Sequence, residues 1–155
     1  MKVNWKSVLV ILLVIFIAIQ FIPKNYPPNE PVDNRHIEQV LEVPKEVSEI
    51  LSIACYDCHS NQIRYPWYSK VAPVSFLISH DIDEGKDELN FSEWGDFSDK
   101  RKKKKMEEIG EEVEEEKMPL PIYTITHGDA RLTDAQREML INWSSGIASE
   151  ITSEE

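Results

Sequence analysis

The chain has 155 residues, a formal net charge of −11, 41% hydrophobic and 29% charged residues. Those proportions exclude collagen-like, wholly disordered and wholly membrane-embedded chains, and the length suits one modest domain with appendages. Lys2 and Lys6 are the only charges before residue 24, so 17 bases less these two leaves 15 against 28 acids, a balance of −13 for the rest. So acidic a surface repels phosphate backbones, and nucleic acid is not an expected partner. Two cysteines, Cys55 and Cys58, cannot build a disulfide framework.

The chain opens with an apolar run from Val8 to Ile22 broken only by Gln20, with Lys2 and Lys6 before it and Pro23 after it. At about 1.5 Å per residue this run is slightly short of a bilayer core of about 30 Å, and Trp5 and Lys6 can extend it by sitting at the interface. A cleaved secretory peptide is the competing reading. However, Ala18-Ile19-Gln20 and Phe21-Ile22-Pro23 lack the small-x-small pattern of a cleavage site. The expectation is therefore an uncleaved N-terminal transmembrane helix within residues 1–23, contacting lipid through residues 7–22. It would anchor the chain in the inner membrane and place the rest on the periplasmic side. No cysteine precedes Cys55, so lipid attachment near the N-terminus is not expected.

Residues 24–43 read as a proline-rich tether, because Pro23, Pro27, Pro28 and Pro31 favour extended backbone without internal hydrogen bonds. His36 in this stretch is expected to face solvent. Folding signals begin at Pro44, and the domain is expected to cover residues 44–150. Val47, Ile50, Leu51, Ala54 and Cys58 share one helical face. A short helix from about Pro73 to Asp83 would put Val74, Leu77 and Ile78 on one side, after an aromatic loop at Tyr65-Pro66-Trp67-Tyr68. A third helix opens at Ser98 and carries Met106, Ile109 and Val113. Thr133 and Gln136 form a capping-box pattern ahead of Ala135, Met139, Leu140, Trp143 and Ile147. No stretch alternates as a strand does, so the fold class is all-α. Lys100 to Lys105 are consecutive bases followed by an acid-rich stretch from Glu107 to Glu116, which reads as a solvated helix carrying its charge against its own dipole.

The chemistry concentrates at Cys55-Tyr56-Asp57-Cys58-His59, a C-x-x-C-H pattern. This is the attachment pattern of c-type haem: two thiols on one helical turn can each add to a vinyl group of one porphyrin, and the adjacent imidazole coordinates iron. Such attachment happens outside the cytoplasm, which agrees with the export reading. A thioredoxin-type pair would belong beside a strand, a zinc site lacks its second pair of ligands, and a plain structural disulfide is the remaining alternative. Candidates for the second iron ligand are Met118, His80 and His127. Met118 is preferred because Lys117-Met118-Pro119-Leu120-Pro121 holds a thioether on a proline-stiffened backbone after the charged helix. His80 reads as helix capping or a propionate contact, and His127 as a residue ordering the loop before the last helix.

CYDCHSN (Cys55 to Asn61), YPWYS (Tyr65 to Ser69), APVSFLISHDIDEGKDELNFSEW (Ala72 to Trp94), MPLPIY (Met118 to Tyr123) and ARLTDAQREMLINW (Ala130 to Trp143) together resemble the bacterial haem-binding domain family of cytochrome c type. The resemblance covers roughly residues 35 to 148. It implies a cytochrome c-like helical domain wrapped around one covalent haem c, with Cys55 and Cys58 as attachment points and His59 as proximal ligand. It marks His80, Met118 and His127 as family-pattern positions without deciding between them. The expected function is one-electron transfer rather than enzymatic catalysis, toward a redox partner with a basic docking patch. A peroxidase or sensor with an open iron position is the first alternative, and a non-haem interaction module the second.

Overall fold

The structure is a computed structural model that describes residues 4–151, and no strand occurs among them. Helix α1 spans Trp5–Gln20, capped by the Asn4 side chain, and none of its residues is buried. Its 16 residues reach only about 24 Å at about 1.5 Å each, against a bilayer core of about 30 Å. Among the described residues no helix is long and apolar enough to cross a membrane. This corrects the expected transmembrane helix, and the inner-membrane anchorage and periplasmic placement drawn from it fall as well. The helix stops because Gln20 belongs to the folded body rather than to the apolar run. Its amide donates to the carbonyls of Phe16 and Ala72, at 2.8 and 3.2 Å, and its carbonyl oxygen accepts the Ala72 N–H at 2.9 Å. Lys2, expected to flank the apolar run, lies outside the described residues.

The proline-rich stretch is extended, yet it is fastened to the domain along its length. Asn25 donates to Asp83 at 2.9 Å, and the Tyr26 hydroxyl to the Ser69 carbonyl at 2.5 Å. Asn29 exchanges two bonds of 2.9 Å with the backbone of Ile63, and the Glu30 N–H reaches the Asn61 carbonyl at 3.0 Å. The stretch then enters the core. Helix α2, Ile37–Val40, buries Ile37 completely, and its N-cap His36 is only 3% exposed. The expectation of a solvent-facing His36 is thereby corrected: its Nδ1 accepts the Glu38 N–H at 3.3 Å, and its ring stands edge-on to Tyr56 at 5.3 Å.

Helix α3 (Lys45–Ala54) begins right after Pro44 and buries Val47, Ile50 and Leu51, as its periodicity requires. The short α4 (Tyr56–His59) follows after a break at Cys55, and carries the C-x-x-C-H segment. Helix α5 (Val74–Glu88) is longer than the apolar pattern indicates. Its buried face consists of Ser75, Ser79, Ile82 and Gly85, small residues that let neighbouring backbone come close without announcing themselves as an apolar stripe. Helix α6 (Asp99–Glu114) is capped by Ser98 and buries Met106 and Val113. It pairs lengthwise with α8 (Asp134–Glu150), whose Thr133–Gln136 capping box forms as expected. Gly110 permits that pairing, since a Cβ there would lie 3.1 Å from the buried Ser144 hydroxyl. Between them runs α7, Pro121–Thr126, with Pro121 in its first turn. A continuous core including Ile37, Leu51, Phe91, Trp94, Met106 and Leu140 joins these elements.

The block charge of α6 is resolved locally. Lys104 and Lys105 reach Glu108 at 3.0 and 2.7 Å, and Arg101 lies over the Phe97 ring at 3.9 Å. Basic and acidic blocks therefore meet across single turns, which offsets part of the unfavourable dipole alignment.

Burial lowers the His36 pKa below its usual 6.5, with smaller opposing effects from Glu38 and Asp33. The unfolded chain therefore takes up a proton in acid that the folded chain resists, and stability falls as pH drops below that value. Protonation also removes the cap acceptor at Nδ1, and a cap contributes about 1 kcal/mol. As pH falls from about 7 to about 5, the melting temperature of the native chain should decline more steeply than that of a His36→Gln variant. Parallel slopes in thermal melts would contradict this.

Candidate functional site

Two cavities border the C-x-x-C-H segment. The larger, about 470 Å³, is lined by Cys55, His59 and Met118 together with Leu51, Leu89, Phe91, Ile109, Val113 and Leu140. The smaller, about 310 Å³, is lined by Cys58, Tyr123 and His127 among apolar residues of α5 and α7. The predicted side of α5 is right in this respect: Val74, Leu77 and Ile78 all face the smaller cavity.

His59 is placed by α5. Its Nδ1 lies 2.8 Å from the Gly85 carbonyl and 3.0 Å from the Leu89 carbonyl. Both partners are acceptors, so Nδ1 carries the proton and Nε2 holds the free lone pair. Burial lowers the His59 pKa, while the two carbonyls pull the other way. The Phe91 ring stands edge-on to the imidazole at 6.4 Å.

This contact depends on glycine. A Cβ at Gly85 would lie 2.8 Å from the Cys58 carbonyl oxygen, which is backbone and cannot step aside. A polar lattice fixes the second carbonyl. Asn90, next to Leu89, donates to Asn61 at 3.1 Å, and its oxygen accepts the Ser92 N–H at 3.0 Å. The Asn61 N–H donates to the Ser92 hydroxyl at 2.9 Å. The loops that follow His59 and Leu89 are thus tied to one another. Sequence reasoning assigned no role to Asn61, Gly85, Asn90 or Ser92. Their only signal was their place inside CYDCHSN and the Ala72–Trp94 motif.

Met118 reaches the larger cavity because of how α6 ends. Glu116 adopts a left-handed φ of 58°, its N–H bonds to the Val113 carbonyl at 3.3 Å, and the Lys117 N–H bonds to the Glu112 carbonyl at 3.0 Å. This is a Schellman termination with Glu in the position glycine usually takes. The Met118 N–H shares the Glu112 carbonyl at 3.0 Å, so the thioether-bearing residue is fixed directly to the helix end.

The other two ligand candidates lie elsewhere. His80 is exposed on α5, 3.5 Å from Glu84, and borders neither cavity. His127 stacks on Tyr123 at 4.1 Å and lies 3.3 Å from the Tyr68 hydroxyl, in the smaller cavity.

Both cysteines are free thiols with pKa values pushed up to about 12. Burial is the main cause, with the neighbouring thiol assisting at Cys55 and Asp81 and Asp57 at Cys58. Thiols so far from ionisation are unlike the low-pKa pairs of disulfide oxidoreductases. Among the described residues no group of three or more His, Cys, Asp or Glu is arranged to hold a metal ion by itself. An imidazole oriented through Nδ1, a thioether in the same cavity and apolar walls do suit a planar iron porphyrin.

The geometry describes a helical protein with a largely apolar cavity onto which an oriented imidazole, a thiol and a thioether open. The haem-binding domain family model matches residues 14–146, and the chain belongs to that family. It is therefore a haem-binding protein. No curated protein and no solved structure matches it.

Replacing Gly85 by Ala adds helix propensity but forces a backbone overlap, and overpacking of this kind costs about 1–3 kcal/mol. The Gly85→Ala variant should melt at lower temperature and load less haem than the native chain. Equal haem content, measured by absorbance per chain, would show that the close approach of α4 and α5 is dispensable.

Proposed function

We propose that the chain is a one-electron carrier that holds a single covalent haem c through Cys55 and Cys58, with His59 and Met118 as its iron ligands. The observation that carries this reading is the pair of carbonyls on His59 Nδ1, which leaves Nε2 as the coordinating nitrogen in a cavity shared with Cys55 and Met118. When bound, haem supplies a one-electron iron couple, and a thioether ligand raises its potential relative to two imidazoles.

The chain's own residues do the rest. Gly85 and Leu89 keep the proton on Nδ1 and fix the tautomer of His59. Leu51, Phe91, Ile109, Val113 and Leu140 exclude water from the cavity. Burial raises both thiol pKa values, which leaves little thiolate at Cys55 and Cys58 in the folded chain. With two protein donors assigned to the metal, no coordination position is kept for a substrate, and the role is electron transfer rather than catalysis. Glu88, Glu108, Glu111 and Glu112 line the same cavity against the single base Lys105. That acidic rim, on a chain of net charge −11, favours a redox partner with a basic patch.

Expression with a c-haem maturation system should yield chain heavier by one haem, with a pyridine haemochrome spectrum to match. Cys55→Ala together with Cys58→Ala should abolish the covalent adduct. Met118→Ala should keep the adduct, lose the far-red absorption of ferric iron bound to a thioether, and lower the reduction potential. Colourless native protein would refute the reading. An unchanged spectrum in Met118→Ala would move the second ligand to another residue, with His127→Ala the next variant.

The proposed docking also has a kinetic signature. Electron transfer to a basic partner protein should slow as ionic strength rises. Rates in stopped flow that do not vary with salt would remove the electrostatic part of the proposal.

A further inference from the structure

One of the two residues between the cysteines is a buried acid. Asp57 is 7% exposed and fully engaged. Its Oδ1 accepts from the Arg64 N–H and Nε, both at 3.0 Å, and its Oδ2 accepts from Arg64 Nη2 at 3.2 Å and from the Tyr123 hydroxyl at 2.8 Å. Arg64 is close in sequence and secures the local turn. Tyr123 is not: it belongs to α7, five residues beyond Met118, and 66 residues from Asp57. Its hydroxyl also lies 3.3 Å from the Ile53 carbonyl, and its ring stacks on His127 at an interplanar angle of 16°. Burial, with Asp57 reinforcing it, raises the Tyr123 pKa, so the hydroxyl keeps its proton and donates.

Met118 is thus held from two directions. Before it, its own N–H is fixed to the Glu112 carbonyl at the end of α6. After it, the chain runs through Pro119 and Pro121 into α7, which is pinned to the C-x-x-C-H helix by Tyr123 and Asp57. Prolines fix φ and leave few ways to absorb a displacement. A shift of Tyr123 is therefore passed back to Met118 rather than lost in the intervening chain.

We infer that Tyr123, through its hydrogen bond to Asp57, is a positioning residue that holds Met118 at the haem cavity. This rests on the assignment of Met118 as an iron ligand. The bond joins the thiol-bearing helix to the thioether-bearing loop, so the two sides of the site share one fastening. Its strength comes from a charged acceptor and burial, which make a hydroxyl–carboxylate bond stronger than a neutral one.

The test uses the full-length, haem-loaded chain and its Tyr123→Phe and Asp57→Asn variants. Tyr123→Phe keeps the ring stacked on His127 and removes only the hydroxyl. Its haem content and pyridine haemochrome spectrum should match the native chain. The far-red iron–thioether absorption of the ferric form should be weakened or lost, or should vanish on alkaline titration at a pH lower by at least about one unit, a tenfold change in the equilibrium. Asp57→Asn should weaken the same absorption, and the double variant should show less than the sum of the two losses. A purely structural role would lower the melting temperature without moving that absorption or its titration midpoint. If native chain shows the absorption and Tyr123→Phe retains it with the same midpoint, the fastening is refuted and the Met118 assignment stands. If native chain lacks it, the Met118 assignment fails and takes the fastening with it. Should Tyr123→Phe fail to fold, Asp57→Asn decides by the same two readings.

Discussion

Everything in the site depends on the approach of α4 to the end of α5. The last turn of a helix exposes carbonyls that need donors, and here an imidazole supplies one. A single net hydrogen bond contributes only about 1 kcal/mol, but a buried ring with an unpaired N–H would cost more than that. The arrangement is therefore directional as well as stabilising: only one tautomer and one ring orientation satisfy Gly85 and Leu89 together. The Asn61–Asn90–Ser92 lattice makes the same point from the other side, because it holds the Leu89 peptide through neighbours on both loops.

The larger cavity combines two environments. Its floor is apolar, formed by core residues of α3, α6 and α8, and its rim is ionic. Lys105, nearly buried, is held by Glu108 at 2.7 Å and Glu88 at 3.2 Å. Burial alone would make its charge costly, but the two carboxylates outweigh that and its pKa is raised. The helix whose charge pattern looks least favourable in isolation thus supplies a wall of the site, and tertiary packing through Met106 and Val113 secures it.

The sequence exposed the helices wherever their buried faces are apolar, as at Val47, Ile50 and Leu51 or at Met106 and Val113. It understated α5, whose buried Ser75, Ser79 and Gly85 serve close packing and carry no hydrophobic signal. It overstated α1, because hydropathy does not reveal that Gln20 reaches across 52 residues to the Ala72 backbone. His36 failed for the same reason: a histidine amid prolines reads as exposed until the partner ring, Tyr56, is known. At the site, C-x-x-C-H pointed to the cavities, and of the three further candidates Met118 shares a cavity with His59 whereas His80 pairs with Glu84 on the exposed side of α5. The supporting residues could not be read, since polar side chains such as Asn61 and Asn90 acquire meaning only from the backbone groups they face.

The stretch between α1 and α2 has a mechanical consequence. Asn25, Tyr26, Asn29 and Glu30 fasten it successively to α5, to the turn at Ser69, to Ile63 and to Asn61. A pull on the amino-terminal helix would meet no swivel. It would be resisted as a zip is, one tooth after another, with the last tooth two residues from His59, so that traction at one end of the molecule arrives as torque beside that imidazole.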